Sequence, residues 1–192
     1  MLINNRLILK DDDPKDIVLL REKSLPVPLP LSDEDKQLLR DMYQYVVDST
    51  DEEKAKANDL SPAVGISAIQ VGVKKRLTAV VVHSLDKNGE PVTYEYMLAN
   101  PKIVSRSVQP AYLEDGEGCL SVPAEHKGHV IRSARITVEA YDLLTDQNIR
   151  IRARGYLAIV LQHELDHFEG TLYYDHIDPA DPDKAPAGAL VF

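Results

Sequence analysis

The most informative segment of this chain is Gln162-His163-Glu164-Leu165-Asp166-His167-Phe168-Glu169-Gly170. It contains the pattern His-Glu-x-x-His, and the apolar run before it, 157–161, predicts a helix that no proline interrupts. Residues four apart share one face of a helix, so His163 and His167 can bind a single metal ion. Glu164 lies one position round from that face, where a carboxylate can reach a metal-bound water. The pattern therefore indicates a metal-dependent hydrolase.

The same spacing also occurs on helices that bind no metal, and a catalytic zinc-type site needs a third protein ligand. The single cysteine, Cys119, is the candidate for that ligand. It lies in the Gly-rich, polar segment 114–123, whereas a structural cysteine is usually buried among apolar side chains. This segment is therefore the second predicted part of the site.

Composition limits the function classes that fit the chain. Its 192 residues predict a single domain, 1–192, with a substantial core. A net charge of −9 argues against direct nucleic-acid binding. No run reaches the ~18 apolar residues of a membrane span, and the first twenty residues lack the pattern of a signal peptide. One cysteine permits no intramolecular disulfide, so we expect a cytoplasmic protein without membrane contact.

Hydrophobic periodicity predicts the elements around the motif. Ser32 resembles an N-cap, and the apolar residues of 38–47 recur at helical spacing, which predicts an amphipathic helix. The charged segment 51–59 after it is predicted to be a solvated surface segment. Shorter elements are a helix near 11–20, a proline-rich connector at 26–30, a turn at 86–89 and an edge strand at 189–192. Strands are predicted at 77–83, 94–98, 102–108, 130–141 and 149–153. Asn100-Pro101 separates the second strand from the third, and the last two strands are expected to form an antiparallel hairpin.

Together these elements predict an α+β fold. Antiparallel strands are expected to pack around the central His-Glu-x-x-His helix. The fold also includes the N-terminal amphipathic helix and a non-helical C-terminus that is rich in Pro and Asp. The segment 61–72 contains small residues and ends near Gln70, and taken alone it fits a tight loop with a surface glutamine.

Three segments resemble the three motifs of peptide deformylases: Gly65-x-Ser67-Ala68-x-Gln70, Glu117-Gly118-Cys119-Leu120-Ser121 and Gln162-His163-Glu164-x-x-His167. The long segment ahead of the cysteine, the spacing from Cys119 to Arg135 and the non-helical C-terminus are most similar to the type 2 deformylases of Gram-positive bacteria. Two residues depart from the usual first motif. Ala63 stands in place of its leading glycine, which could change the entry to that loop. Ser67 replaces its first alanine, which adds a hydroxyl beside the substrate strand.

The resemblance implies a reaction, a set of ligands and a partner. The reaction is hydrolysis of the N-formyl group from the formyl-methionine of new polypeptides, which releases formate. Cys119, His163 and His167 would bind one divalent metal ion per chain, with Fe²⁺ in the cell and Zn²⁺, Ni²⁺ or Co²⁺ as alternatives that such a site accommodates. The partners would be formyl-Met nascent peptides, met near the ribosome, and we expect a monomer.

The resemblance also assigns catalytic roles. Glu164 would be the general base and acid. The Gln70 side-chain amide and the Leu120 backbone N–H would stabilise the oxyanion of the tetrahedral intermediate.

The substrate methionine needs an apolar pocket. Tyr156, Ile159 and Val160 share the helix face of His163 and, with Val64, are the predicted lining. An ordinary core is the other interpretation of these residues. By the resemblance, the backbone of Gly65 pairs with the peptide as an added strand.

Two other functions fit parts of the pattern. A zinc metalloprotease shares His-Glu-x-x-His, but the residue at the metzincin third-histidine position is Tyr173, and no methionine follows Met97 to form a Met-turn. A non-catalytic metal-binding or peptide-capture protein is the second alternative. Glu164 argues against it, since a structural metal site does not need that carboxylate.

Overall fold

The computed structural model describes residues 3–85 and 88–192, and two of the four residues of the predicted turn at 86–89 lie outside this part. Its strands are β1 (Gly65–Ser67), β2 (Leu77–Leu85), β3 (Pro91–Arg106), β4 (Pro110–Tyr112), β5 (Arg132–Ser133), β6 (Arg135–Asp142), β7 (Gln147–Arg154) and β8 (Leu190–Val191). Its α-helices are α1 (Asp16–Leu20), α2 (Asp33–Ser49), α3 (Glu52–Asn58) and α4 (Gly155–Asp166). Short 3-10 turns occur at Asn5–Leu7, Ala68–Val71, His167–Glu169 and Tyr173–His176.

Five strands form one antiparallel sheet in the order β1-β2-β3-β6-β7, which confirms the α+β class. Strands β6 and β7 are the predicted hairpin. The division into two strands at Asn100-Pro101 was wrong, because β3 runs through both predicted segments. A register shift between Ala99 and Lys102 absorbs the irregularity, as a β-bulge does.

A second, smaller sheet joins β5, β4 and β8 in that order. The predicted C-terminal strand therefore forms, and it pairs in parallel with β4. The backbone of Phe192 also donates to Tyr112 and accepts from Glu114. These bonds hold the C-terminal strand beside the segment that leads to Cys119.

Strand β2 separates two layers of the core. Ala79 and Val81 pack on the side of α2, whereas Val80 and Val82 pack on the side of α4. Successive strand residues point to opposite faces, so a strand covered on both faces is apolar at every position. This arrangement explains the unbroken apolar run in β2.

Helix α2 begins where the Ser32 side chain accepts a hydrogen bond from the backbone of Asp35, a typical N-cap. Its buried stripe of Leu39, Met42 and Val46 packs on the sheet. The charged segment 51–59, predicted to be a solvated surface segment, differs from that prediction in part. It is exposed, but it also forms α3, because the Asp51 side chain caps the helix start.

Helix α4 carries the His-Glu-x-x-His motif across the other face of the sheet. The helix ends at Asp166, and a 3-10 turn continues it from His167. Gly170 then reverses the chain with a φ of +70°, and a side-chain carbon there would lie 2.2 Å from the carbonyl oxygen of Arg21. Glycine is therefore required at this close approach. Among the described residues, every helix is too short or too polar to cross a membrane.

Candidate active site

Three side chains from two parts of the chain meet at one point. His163 comes from α4, His167 from the 3-10 turn after it, and Cys119 from the loop between β4 and β5. One potential ligand atom from each of them lies within 4.8 Å of the other two. His167 keeps right-handed helical backbone angles, so the two histidines still face the same way although the α-helix has ended.

The donor set fits a divalent transition metal. A tetrahedral ion at ordinary zinc distances separates a sulfur ligand from a nitrogen ligand by about 3.6 Å, and Cys119 Sγ lies 3.4 Å from His167 Nε2. One thiolate with two imidazoles is typical of an open, catalytic site, since structural sites usually have four protein ligands. Soft sulfur and imidazole donors suit iron, zinc, nickel and cobalt better than magnesium or calcium.

The charge state of Cys119 also suits metal binding. Burial raises the pKa of its thiol, but the attraction of His167 and His163 outweighs burial and brings the pKa down to about 6. The thiolate is the form that binds metal. A cysteine with this pKa is therefore largely ionised at neutral pH.

Behind His163 lies a chain of ionic contacts that is buried at Glu117 and Arg132 and partly exposed at its outer end. His163 Nδ1 is 2.8 Å from Glu117 Oε2, which accepts from Arg132 Nη2 at 2.9 Å. Arg132 Nη1 donates to Asp166 Oδ2 at 2.8 Å, and His176 Nε2 is 2.8 Å from the same oxygen. The contact of Nδ1 with Glu117 leaves Nε2 of His163 for the cluster. Such carboxylate partners fix the ring of a metal-binding histidine.

The electrostatics of this chain follow from its burial. Burial raises the pKa of Glu117, but the hydrogen bonds from Arg132 and His163 outweigh burial and lower the pKa below its usual value. Burial likewise lowers the pKa of Arg132, and Glu117 and Asp166 more than offset that effect. Both groups stay charged because each has a partner.

Sequence reasoning gave Glu117 and Arg132 no role. A signal existed for Glu117, because a carboxylate two residues from a candidate metal ligand is well placed to contact another ligand. The sequence contained no such signal for Arg132, because its partners lie 15 and 34 positions away. The structure places His176 at the outer end of this chain of contacts, where its Nε2 meets Asp166.

Glu164 lies close to the cluster, buried against β1 and β2. Its Oε2 accepts from Ser67 Oγ at 2.7 Å, and Thr78 Oγ1 lies 3.5 Å away. A side-chain carbon at Gly65 would lie 2.5 Å from Oε1, so this glycine gives the carboxylate its space. The hydroxyl of Ser67, predicted to lie beside the substrate strand, contacts Glu164. Ala63 has no positive φ, so its departure from glycine causes no strain.

Gln70 is 2% exposed, so its interpretation as a surface residue was wrong. Its Oε1 accepts from the backbone of Ser67 at 2.8 Å. Its Nε2 lies 3.2 Å from Ser121 Oγ and 3.6 Å from Cys119 Sγ. The side-chain amide is thereby fixed with its donor end towards the cysteine.

The N-terminal segment 9–11 joins the loop of Gln70 to the loop of Cys119. Its contacts are Leu9 N–H to Gln70 O at 2.8 Å, Asp11 N–H to Ser121 O at 2.8 Å, and Lys10 Nζ to Leu120 O. The backbone N–H of Leu120 has no acceptor among the residues that the structure describes. A donor held in a fixed loop without an internal partner can bind a ligand oxygen.

A cavity of ≈530 Å³ opens over the cluster. All five predicted substrate-binding residues line it: Val64, Gly65, Tyr156, Ile159 and Val160. The predicted catalytic residues Gln70, Leu120 and Glu164 line it as well, together with Cys119 and His163. His167 lies behind them, 1% exposed, and its Nδ1 has no partner in the described part of the chain. A cavity with an apolar wall and a few converging polar groups is typical of a substrate site.

Comparison with known proteins agrees with this geometry. The polypeptide deformylase family matches residues 5–183. The chain is 46% identical over 189 residues to peptide deformylase 2 of Geobacillus stearothermophilus and to that of Bacillus subtilis, with 98% of both chains covered in each case. It also resembles the Met-Ala-Ser-bound crystal structure of a class I type b peptide deformylase from Acinetobacter baumannii, with a TM-score of 0.68 and 27% identity, over 92% of this chain and 100% of that one.

These matches favour deformylation over the metalloprotease alternative. Peptide deformylases are metal-dependent hydrolases that remove the N-formyl group from nascent peptides, and the Cys119, His163 and His167 cluster is compatible with such a metal. The similarity to the Geobacillus and Bacillus proteins extends over almost the whole chain, as the resemblance to type 2 enzymes predicted. This chain belongs to the peptide deformylase family.

Proposed function

We propose that this chain removes the formyl group of formyl-Met peptides at the cavity above Cys119, His163 and His167. The observation that carries the proposal is the convergence of these three side chains at one point beside Glu164, where Cys119, His163 and Glu164 line the cavity and His167 lies just behind them. In the reaction, water adds to the formyl carbon and the carbon–nitrogen bond breaks. Formate and a free amino terminus result.

Cys119, His163 and His167 would hold one divalent metal ion. When bound, such an ion supplies Lewis acidity, which activates water and polarises a carbonyl oxygen. Fe²⁺ is our proposal for the metal in the cell, and the donor set also accommodates Zn²⁺, Ni²⁺ and Co²⁺.

Glu164 would move the proton. Its Oε2 is occupied by Ser67, while Oε1 accepts no hydrogen bond from any residue in 3–85 or 88–192. Oε1 is therefore the atom that would take a proton from the attacking water. The same carboxyl would then deliver that proton to the leaving amine, which must be protonated to depart.

Gln70 and Leu120 would stabilise the developing oxyanion. The Gln70 amide is fixed by Ser67 and ends 3.6 Å from Cys119 Sγ, next to the reacting position. The N–H of Leu120 lies in the same loop as Cys119. Two donors at one position would form an oxyanion hole, where each contributes roughly 3 kcal/mol.

The apolar wall would receive the methionine side chain. Val64, Tyr156, Ile159 and Val160 supply that wall, and Gly65 lies in the short edge strand β1, where a peptide can add as a further strand. The Acinetobacter relative is described with a bound Met-Ala-Ser peptide, which supports a peptide with an N-terminal methionine as the ligand here.

The remaining proposals concern the cellular setting. We propose that residues 1–192 form a single deformylase domain that acts as a monomer in the cytoplasm. Its substrate would be met near the ribosome, where formylated chains emerge. Gel filtration coupled to light scattering tests the oligomeric state, and fractionation of cell extracts tests the location.

The central test is formate release from a formyl-Met tripeptide by the anaerobically purified, metal-loaded protein. Glu164→Ala and an unformylated peptide are the controls. We expect formate with intact peptide bonds, lost in Glu164→Ala. Cleaved peptide bonds without formate would instead support the protease. Metal binding without either product would support the non-catalytic metal-binding or peptide-capture protein.

A further inference from the structure

Ser67 is completely buried and contacts the proposed proton carrier directly. Its Oγ lies 2.7 Å from Glu164 Oε2 and 3.0 Å from the Glu164 carbonyl oxygen. Its backbone N–H donates to Gln70 Oε1 at 2.8 Å. One residue therefore contacts both the proposed base and a proposed oxyanion donor.

The surroundings identify Ser67 as the principal donor to this carboxylate. Thr78 Oγ1 is the other hydroxyl in range, but it lies 3.5 Å from Oε2 and donates to the Ile66 carbonyl at 2.9 Å. A hydroxyl has one proton, so that shorter bond commits the Thr78 proton. The Ser67 hydroxyl therefore donates the hydrogen bond to Glu164 Oε2.

The two oxygens of Glu164 are consequently unequal. Oε2 is held by Ser67, whereas Oε1 lies where a side chain at Gly65 would be, and Glu164 and Gly65 both line the cavity. Rotation of the carboxylate would break a short hydrogen bond to a charged group in a buried site. Ser67 thus restricts Glu164 to one orientation.

We infer that Ser67 is a positioning residue: its hydroxyl holds Oε2 of Glu164 and keeps Oε1 available for proton transfer. The inference rests on the proposed role of Glu164 as base. The usual deformylase motif has alanine at this position, so the contact distinguishes this chain from the typical family pattern. Deformylases with alanine must orient the same carboxylate without this hydroxyl.

The competing explanation is purely structural. The Ser67 hydroxyl could simply link β1 to α4 through the Glu164 carbonyl oxygen. In that case its removal would lower stability and leave turnover unchanged. A positioning role instead lowers kcat while substrate binding and metal content stay constant.

The experiment compares four Ser67 proteins: wild type, Ser67→Ala, Ser67→Thr and Ser67→Val. Each is loaded with the same metal, its metal content is measured, and kcat and KM are determined with a formyl-Met tripeptide. We expect Ser67→Ala to lose about tenfold in kcat, with KM and metal content within about twofold of wild type. Thr and Val have almost the same shape, so both share any cost of overpacking, and only Thr keeps the hydroxyl.

Comparing Ser67→Thr with Ser67→Val separates the effect of the hydroxyl from the effect of packing. We expect Ser67→Thr to turn over about tenfold faster than Ser67→Val. A crystal structure of Ser67→Ala adds a readout besides activity, and we expect the Glu164 carboxylate to leave its present orientation. Equal kcat for Thr and Val, or wild-type kcat for Ala, would overturn the inference.

Glu164→Gln separates this result from the proposed function. If Glu164→Gln retains wild-type kcat, the proposed role of Glu164 fails, and the Ser67 inference falls with it. If Glu164→Gln is inactive while Ser67→Ala is fully active, the proposed role of Glu164 stands and only the inference about Ser67 is overturned. Ser49→Ala is the matched control, since it removes another buried serine hydroxyl, bonded to the Val46 and Ala63 carbonyls and not to Glu164. We expect lower stability and unchanged kcat for it.

Discussion

The two sides of the cavity are built by different forces. On the ligand side, His163 is held by Glu117, whose side chain is 4% exposed, and Glu117 is held by Arg132, whose side chain is 3% exposed. On the apolar side, Ile159 and Val160 are held by packing alone. Removing one partner of a buried ion pair leaves an unpaired charge, which costs about 3–5 kcal/mol. Removing a methylene group costs about 0.8 kcal/mol of transfer free energy. A single substitution on the ligand side should therefore cost several kcal/mol of stability, whereas a substitution on the apolar side should cost less, in proportion to the apolar groups removed.

The largest effect should come from removing a proposed ligand. Cys119→Ala takes away the thiolate, so the remaining two histidines should bind the metal weakly. We expect metal content near zero after dialysis and kcat/KM roughly a thousandfold lower. Elemental analysis and formate release measure the two quantities. Full metal retention in Cys119→Ala would remove Cys119 from the ligand set.

Glu117→Gln tests the partner behind the ligand. The amide keeps the shape of the side chain but cannot neutralise Arg132, and it binds the His163 ring less strongly. We expect metal affinity to fall about 10–100-fold and the free energy of unfolding to fall by about 3 kcal/mol. Chelator competition and urea unfolding give these values. Wild-type values in both assays would show that the buried contacts are dispensable, and the contrast between the two sides would disappear.

Val160→Ala tests the apolar side. Loss of two methyl groups from this buried residue should cost about 1.5 kcal/mol in the free energy of unfolding and enlarge the pocket. We expect KM for formyl-Met peptides to rise several-fold at unchanged metal content. Val138→Ala is the matched control: it is also buried, in the same core cluster, but does not line the cavity. It should lose similar stability and keep the wild-type KM. Equal KM values for the two variants would place Val160 in the core and not in the pocket.

The smallest effect should come from an ion pair near the surface. Arg21 contacts Asp175, whose side chain is 32% exposed, in contrast to the buried pair of Arg132 and Glu117. Burial raises the pKa of Asp175, but the hydrogen bonds from Arg21 and the Leu172 backbone outweigh burial and lower the pKa below its usual value. A lowered pKa in the folded state gives stability above the unfolded pKa, which is lost as pH falls through the folded one.

Asp175→Asn should therefore lower the free energy of unfolding by about 1 kcal/mol or less at pH 7. The difference from wild type should shrink as pH falls below the unfolded pKa of about 4 and vanish once pH is below the lowered pKa of the folded state. Urea unfolding at several pH values measures it. If Asp175→Asn lost as much unfolding free energy at pH 7 as Glu117→Gln, burial would not be what makes the pair of Arg132 and Glu117 the more important one.

Sequence reasoning was strongest where function depends on local spacing. The four-residue separation of His163 and His167 and the helical spacing of Tyr156, Ile159 and Val160 require only local structure. The structure places four of these residues on α4 and His167 in the 3-10 turn that continues it. The antiparallel hairpin of β6 and β7 was likewise local, since Asp142 and Gln147 face each other across a short turn.

The contacts that sequence reasoning missed join distant parts of the chain. Ser67 meets Glu164 across 97 positions, and no periodic pattern pairs them. Arg132 resembled any other arginine in a strand until the fold placed it between Glu117 and Asp166. The continuity of β3 through Asn100-Pro101 was hidden because a bulge, which the pattern does not reveal, accommodates the proline.

The N-terminal segment 9–11 sets a condition on the synthesis of the enzyme. Lys10 contacts the Leu120 carbonyl 110 positions later, and the proposed ligands end only at His167. A nascent fragment that stops short of residue 167 thus lacks part of the cluster, and segment 9–11 emerges from the ribosome long before the loops that it joins. With these proposed ligands, a deformylase can begin to process other chains only after its own chain has been made through His167.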